Sequence, residues 1–218
     1  MNGSRRFIVL LTLFAGLASL SFGETLYSFT TGLYRFSEYY PKESYGRDFN
    51  GINANFILNY YLPESSFGFF LQTSLGGISS GYEWKDDELT TLDVYSIEDI
   101  RIGLGPSYKL QLGEKISLPI SAGPVFSIFR EESYDYWYSN SGFYEAFNIG
   151  ILADFSIVFI PGKWFFIKNG LMLSCDFLRF EKGMMQTNSR EVSNVQFKHV
   201  PYFAYTGVLY FGIGVRFE

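Results

Sequence analysis

The chain has a single cysteine, Cys175, and a single histidine, His199. A disulfide needs two thiols and a Cys/His metal centre needs several such ligands, so a redox staple and a zinc cluster are both excluded. No metal and no cofactor is expected. Positive charge is short as well. Seventeen Lys and Arg stand against 22 Asp and Glu, a net −5, which excludes the broad basic footprint of a nucleic-acid binder. Past the N-terminus the chain lacks any unbroken apolar run of the about 20 residues that a spanning helix needs. The nearest, 147–167, is interrupted by Asn148, Asp154, Pro161 and Lys163. A helix there would put Asp154 in hydrocarbon, at about 2.5–3.5 kcal/mol.

What the chain has in excess is aromatic. It holds 24 Phe, 17 Tyr and 3 Trp, 20% of its 218 residues, together with 22 Gly. Aromatic side chains suit pleated surfaces, and their amphipathic rings collect at lipid–water boundaries. The N-terminus has the layout of an export signal. Arg5 and Arg6 precede an apolar run over 7–20, and Ser21-Phe22-Gly23 puts small residues at the two positions a signal peptidase reads. We expect a cleaved signal peptide over 1–23 and a mature chain over 24–218.

The mature chain alternates. In 100–112 the even positions read Ile100, Ile102, Leu104, Pro106, Tyr108, Leu110, Leu112, and the odd ones Arg101, Gly103, Gly105, Ser107, Lys109, Gln111. A strand turns the first set to one face and the second to the other. Eight such segments occur, over 26–37, 51–61, 67–80, 94–112, 115–130, 143–160, 164–180 and 198–217. Most are longer than a soluble strand, and about 9–11 tilted residues cross a bilayer. The connections alternate too. Those at 62–66, 113–114 and 161–163 are short; those at 38–50, 81–93, 131–142 and 181–197 are long and polar. Short turns at one end and long loops at the other is the pattern of a transmembrane antiparallel up-and-down β-barrel, all-β and of about eight strands. Pro106, Pro119 and Pro124 fall inside the fourth and fifth segments. Each removes a ladder hydrogen bond, so irregular pairing is expected there.

The run Tyr210-Phe211-Gly212-Ile213-Gly214-Val215-Arg216-Phe217 resembles the closing-strand signal of outer-membrane proteins. Gly212, Val215 and Phe217 occupy its glycine, hydrophobic and aromatic places; Glu218 follows where the aromatic is normally last. The resemblance implies handling by the barrel-assembly machinery and a setting in outer-membrane lipid. In layout, length and closing strand the chain resembles the small eight-stranded OmpX- and OmpW-like group, and no motif selects between them. OmpW-like members imply passage of small, often hydrophobic, molecules. OmpX-like members imply surface contacts through protruding loops.

The inward phase collects polar residues that would line a lumen or constriction: Asn53, Asn55, Asn59, Asp99, Arg101, Lys109, Asp154, Lys168, Asp176 and Arg216. Charges there select solutes or lock a narrow lumen, because eight strands leave room for side chains or one small ligand. Asp154 and Lys168 lie diagonally across one tight hairpin, within reach of each other. The inward glycines leave a path, or ease the bending that closure needs. The loop run Tyr134, Tyr136, Trp137, Tyr138 is aromatic enough to bind an extracellular partner. A narrow pore for small solutes is therefore the leading expectation, and an adhesin using its loops the alternative. A lipid A-modifying enzyme would need His199 as its base. No serine or acid is tied to that residue by spacing, so no enzyme is expected.

Overall fold

Inside hydrocarbon every backbone N–H and C=O must be paired, and alternating chains meet that demand only as strands of a closed sheet. The computed structural model describes residues 23–41, 45–85, 88–92, 96–135, 140–187, 190–192, 198–200 and 202–217. Residues 1–22 of the proposed signal segment 1–23, and Tyr136, Trp137 and Tyr138, lie outside the described residues; of Tyr134 and His199 only the backbone is described.

Eleven strands run in chain order: β1 (Glu24–Tyr40), β2 (Tyr45–Tyr61), β3 (Phe67–Lys85), β4 (Glu88–Leu92), β5 (Ser96–Gln111), β6 (Ile116–Asp135), β7 (Asn140–Phe159), β8 (Phe165–Thr187), β9 (Arg190–Val192), β10 (Lys198–Val200) and β11 (Phe203–Phe217). Eight of them close a ring. Each of β1, β2, β3, β5, β6, β7, β8 and β11 pairs antiparallel with its two neighbours, and β11 returns to β1 from Thr25↔Phe217 to Tyr39↔Phe203. The three short strands extend this ring: β4 folds back on β3, while β9 and β10 pair with β8.

Two sequence expectations are corrected. The stretches read as long polar loops are in large part strand, because β1, β2, β3, β6, β7 and β8 run on past the apolar band as ribbons. The eighth segment, read as continuous from 198, is broken: Lys198–Val200 pairs with Glu181–Arg179 before β11 starts at Phe203. The prolines act as expected. Between β5 and β6 the ladder pairs Gly103 with Val125 and then Ser107 with Ser121, skipping 104–106 and 122–124 without a change of register. Gly105 and Gly123 face each other across that gap, so close that a Cβ on either would strike the other strand's backbone. Pro119 similarly interrupts the β6–β7 ladder.

One irregularity resets the inside–outside phase. β7 and β8 pair Gly150 with Asp176 and Ile149 with Leu178, so Phe177 is an extra residue on β8. Before this bulge the even residues of β8 point inward; after it Arg179, an odd one, is fully buried. A one-residue slip otherwise sends a whole strand's polar set into lipid. Deleting Phe177 should therefore be tolerated, because Asp176 and Arg179 both stay inward. Deleting Leu173 should abolish assembly, because it turns Asp176 outward into hydrocarbon and leaves the buried Arg101 without that partner. Gel mobility of refolded protein with and without boiling reads both outcomes. Equal behaviour of the two deletions would refute the phase assignment.

The exterior is greasy and the interior polar. Leu33 is 71% exposed and Phe67 65%, whereas Asp99, Arg101, Asp154 and Lys168 are at most 1% exposed. Trp164, Phe159, Phe165 and Phe217 ring the short-turn end on the outside, and Phe217 packs edge-on against Tyr27 and Trp164. Arg35, Asp48, Glu98, Arg130 and Glu145 lie outward just above the band, toward the ribbons. An apolar belt this continuous is stable only against hydrocarbon. The molecule is an integral membrane β-barrel.

Candidate functional site

The inward phase of β1 crosses the lumen layer by layer, from Glu24 at the short-turn end through Leu26, Ser28, Thr30, Tyr34 and Phe36 to Glu38 at the ribbon end. Each layer is completed by inward residues of the other strands.

At the short-turn mouth Glu24 accepts hydrogen bonds from Lys109, and from Arg216 at 2.8 Å. The Lys109 ammonium also lies 4.8 Å from the centre of the Tyr61 ring. Tyr61 turns inward with Leu26, Val158, Ile160 and Phe166 as an apolar floor. Above it lies the pair foreseen from the hairpin: Lys168 Nζ is 3.4 Å from Asp154 Oδ2. Tyr210 donates to Asp154 Oδ1 at 2.5 Å. Lys168 also donates to Asn59 at 3.3 Å, and the Asn59 amide donates to Ser107 and Ser121. Asn55 donates to Thr30, and Asn53 to Ser74.

The middle layer is built on Arg101. Its Nε is 2.6 Å from Asp99 Oδ2, its Nη2 is 3.1 Å from Asp176 Oδ2, and its Nη1 donates to Ser174 at 2.7 Å. Tyr34 donates to the same Asp99 oxygen. Three rings follow: Phe36 stacks on Phe49 and Phe129 at 5.9 and 5.3 Å between centroids. At the ribbon end Glu38 accepts from Arg47, and from Arg179 at 2.9 Å. Arg47 reaches on to Glu131 at 2.6 Å and Arg179 to Glu181 at 2.7 Å, with the Tyr202 ring 4.3 Å from the Arg179 guanidinium.

All ten predicted lumen residues face inward. The structure ties Lys109 to Arg216 through Glu24, Asp154 to Lys168 and Asn59, and Asp99 to Arg101 and Asp176. It does not merge these clusters into one constriction. The inward glycines do not leave an open path either: the Tyr210 hydroxyl occupies the space over Gly170, and the Phe166 ring that over Gly214. The ribbon-end cluster of Glu38, Arg47, Glu131, Arg179 and Glu181 is absent from the sequence expectation. Continuing the alternation of β1 and β2 past 37 and below 51 would have found Glu38 and Arg47. For Arg179 strict alternation points the wrong way, because of the Phe177 bulge.

This arrangement fills the lumen with side chains. Arg101 and Arg179, the largest side chains inside, are at most 1% exposed, and their charges are spent on fixed carboxylates. Among solved structures the chain is similar to the outer membrane protein OprG from Pseudomonas aeruginosa, with TM-score 0.58, 10% identity, and 90% of this chain and 96% of that one covered. It is also similar to a major outer membrane protein from Thermus thermophilus, with TM-score 0.52, 12% identity, and 87% and 99% covered. The fold is that of the outer-membrane barrels. No family model matches the sequence, and no curated protein matches it. At these identities the similarity establishes architecture, and what the barrel does has to be argued from its own residues.

Proposed function

We propose that the chain is an outer-membrane barrel with a sealed lumen, exported by its N-terminal signal peptide, whose work is done by the β-ribbons it raises above the membrane. The observation that carries this reading is the lumen: six successive layers of ion pairs and rings cross it, and Arg101 in the middle and Arg179 at the ribbon end are both buried. A narrow barrel so filled is a rigid stem. The ribbons are β-structure well past the band, with β6 and β7 paired as far as Asp135↔Asn140 and β7 and β8 as far as Asn140↔Thr187. The OmpX-like half of the sequence resemblance, with surface contacts made by protruding segments, fits this geometry, and it gives the chain a binding rather than a catalytic role. The aromatic run Tyr134, Tyr136, Trp137 and Tyr138, whose last three residues fall in the sequence between β6 and β7 and outside the described residues, is our candidate contact surface for an extracellular partner.

The second reading is a conduit for small solutes. Its support is the acceptor-rich middle of the lumen, where Asn53 Oδ1, Gln72 Oε1 and Asn148 Oδ1 lack hydrogen-bond partners among the described residues. Refolded protein in planar bilayers separates the two. The sealed stem gives no conductance steps, and cells displaying the protein lose adhesion to immobilised matrix protein when the four aromatics become serine. Reproducible steps with adhesion unchanged would overturn the stem and establish the conduit.

A further inference from the structure

The lipid-facing side carries a feature that the sealed lumen does not explain. Below the charged rim and Asn50 beside it, the outward positions of the eight barrel strands are apolar or aromatic with few exceptions. Thr31 and Thr73 are two, and Thr31 spends its hydroxyl on the Asn53 carbonyl at 3.1 Å. Asn169 is the one amide. It points outward, exposed, between Ile157 of β7 and Phe211 of β11, and its side chain makes no hydrogen bond among the described residues. It lies four residues along β8 from Phe165 of the aromatic ring, about 9 Å into the band for a strand tilted about 45°. At that depth a bare amide meets only hydrocarbon, where an unsatisfied polar group is costly.

The surface there is also hollow. Asn169 lines a groove of about 900 Å³ whose other walls include Leu33, Phe155, Ile157, Leu209 and Phe211. That volume lies within the range of small-molecule sites, which pair apolar walls with a few placed polar groups. The groove's lining follows ladder partners across six neighbouring strands, from Leu118 and Ile120 of β6 through Asn169 of β8 to Ile52 of β2, and at about 4.8 Å per strand that length suits an extended hydrocarbon chain.

We infer that this groove holds one long hydrocarbon chain bearing a hydroxyl or carbonyl partway along its length, hydrogen-bonded to the Asn169 amide. The amide supplies both a donor and an acceptor, so either group satisfies it, whereas a plain acyl chain satisfies neither. The site is entered from the lipid side and is independent of whether the lumen conducts.

The test is native mass spectrometry of the refolded protein in detergent with equal amounts of stearic acid and a stearic acid carrying a mid-chain hydroxyl. Wild type should retain the hydroxylated chain about five-fold better, the worth of one net hydrogen bond. Asn169→Leu should retain the two equally while keeping its heat-modifiable mobility. Asn169→Gln should keep the preference. Equal retention by wild type, or a preference that survives Asn169→Leu, overturns the site. A cross-linked dimer that is lost in Asn169→Leu overturns it in favour of a second copy.

Discussion

Arg101→Met should destabilise the barrel by about 3–5 kcal/mol, more than any change on its outer surface. Arg101 is the only cation bonded to both Asp99 and Asp176 among the described residues, and all three side chains are at most 1% exposed. Methionine fills much of the same volume, so the loss is not one of packing. It comes from two carboxylates left facing each other out of water, and breaking a buried pair from one side costs far more than the intact pair contributes. The carboxylates have other partners, but these are weak substitutes: Tyr34 gives Asp99 one hydroxyl. The decisive companion is Asp99→Asn with Asp176→Asn in the Arg101→Met background. That triple variant removes the charges together and should recover most of the loss, since buried ion pairs replaced as a set are often neutral. Urea unfolding of protein refolded into lipid measures both. If Arg101→Met alone falls within about 1 kcal/mol of wild type, the middle layer is wet and the sealed lumen fails with it.

Much of this molecule is legible in its sequence, and the reason is the solvent. A membrane barrel inverts the usual burial, so the period-two signal is not blurred by one face being half wet. Phe29 and Leu33 out, Asn53 and Asn55 in, and the Asp154–Lys168 diagonal all follow from parity and one tight turn. Parity stops being a guide where the lipid stops. Beyond Ser37 and before Gly51 the outward face turns polar, with Tyr39, Asp48 and Asn50. Contrast between faces disappears there, and strand looks like loop. That is why Glu38 and Arg47 read as connection although they are fixed, buried ladder residues. Arg179 escapes for a different reason: a bulge carries no composition of its own, and the extra Phe177 looks like one more outward aromatic. Tyr202, just ahead of β11, turns in over Arg179. Nothing in its neighbours announces that, since the guanidinium it covers comes from another strand.

Glu38→Ala should cost about 3 kcal/mol and still leave the barrel closed to ions. Glu38 is fully buried and is shared by two guanidiniums, those of Arg47 and Arg179. Its removal leaves both cations, but each keeps a second carboxylate, Glu131 for Arg47 and Glu181 for Arg179. The penalty therefore sits at the lower edge of that for breaking a buried pair. Conductance is governed by different logic, because barriers along one path act in series. Loosening the ribbon-end layer leaves the Phe36, Phe49 and Phe129 rings, the Arg101 layer and the apolar floor of Leu26, Tyr61, Val158, Ile160 and Phe166 in place. An ion crossing the floor would shed its hydration against side chains that offer no oxygen except one tyrosine hydroxyl. Urea midpoint and planar-bilayer current, read on the same preparation, separate the two effects. A destabilised but silent variant fits a stem sealed along its length. Current through Glu38→Ala would place the whole resistance at the ribbon end, and a carboxylate holding two arginines apart from the outer mouth would then be a gate.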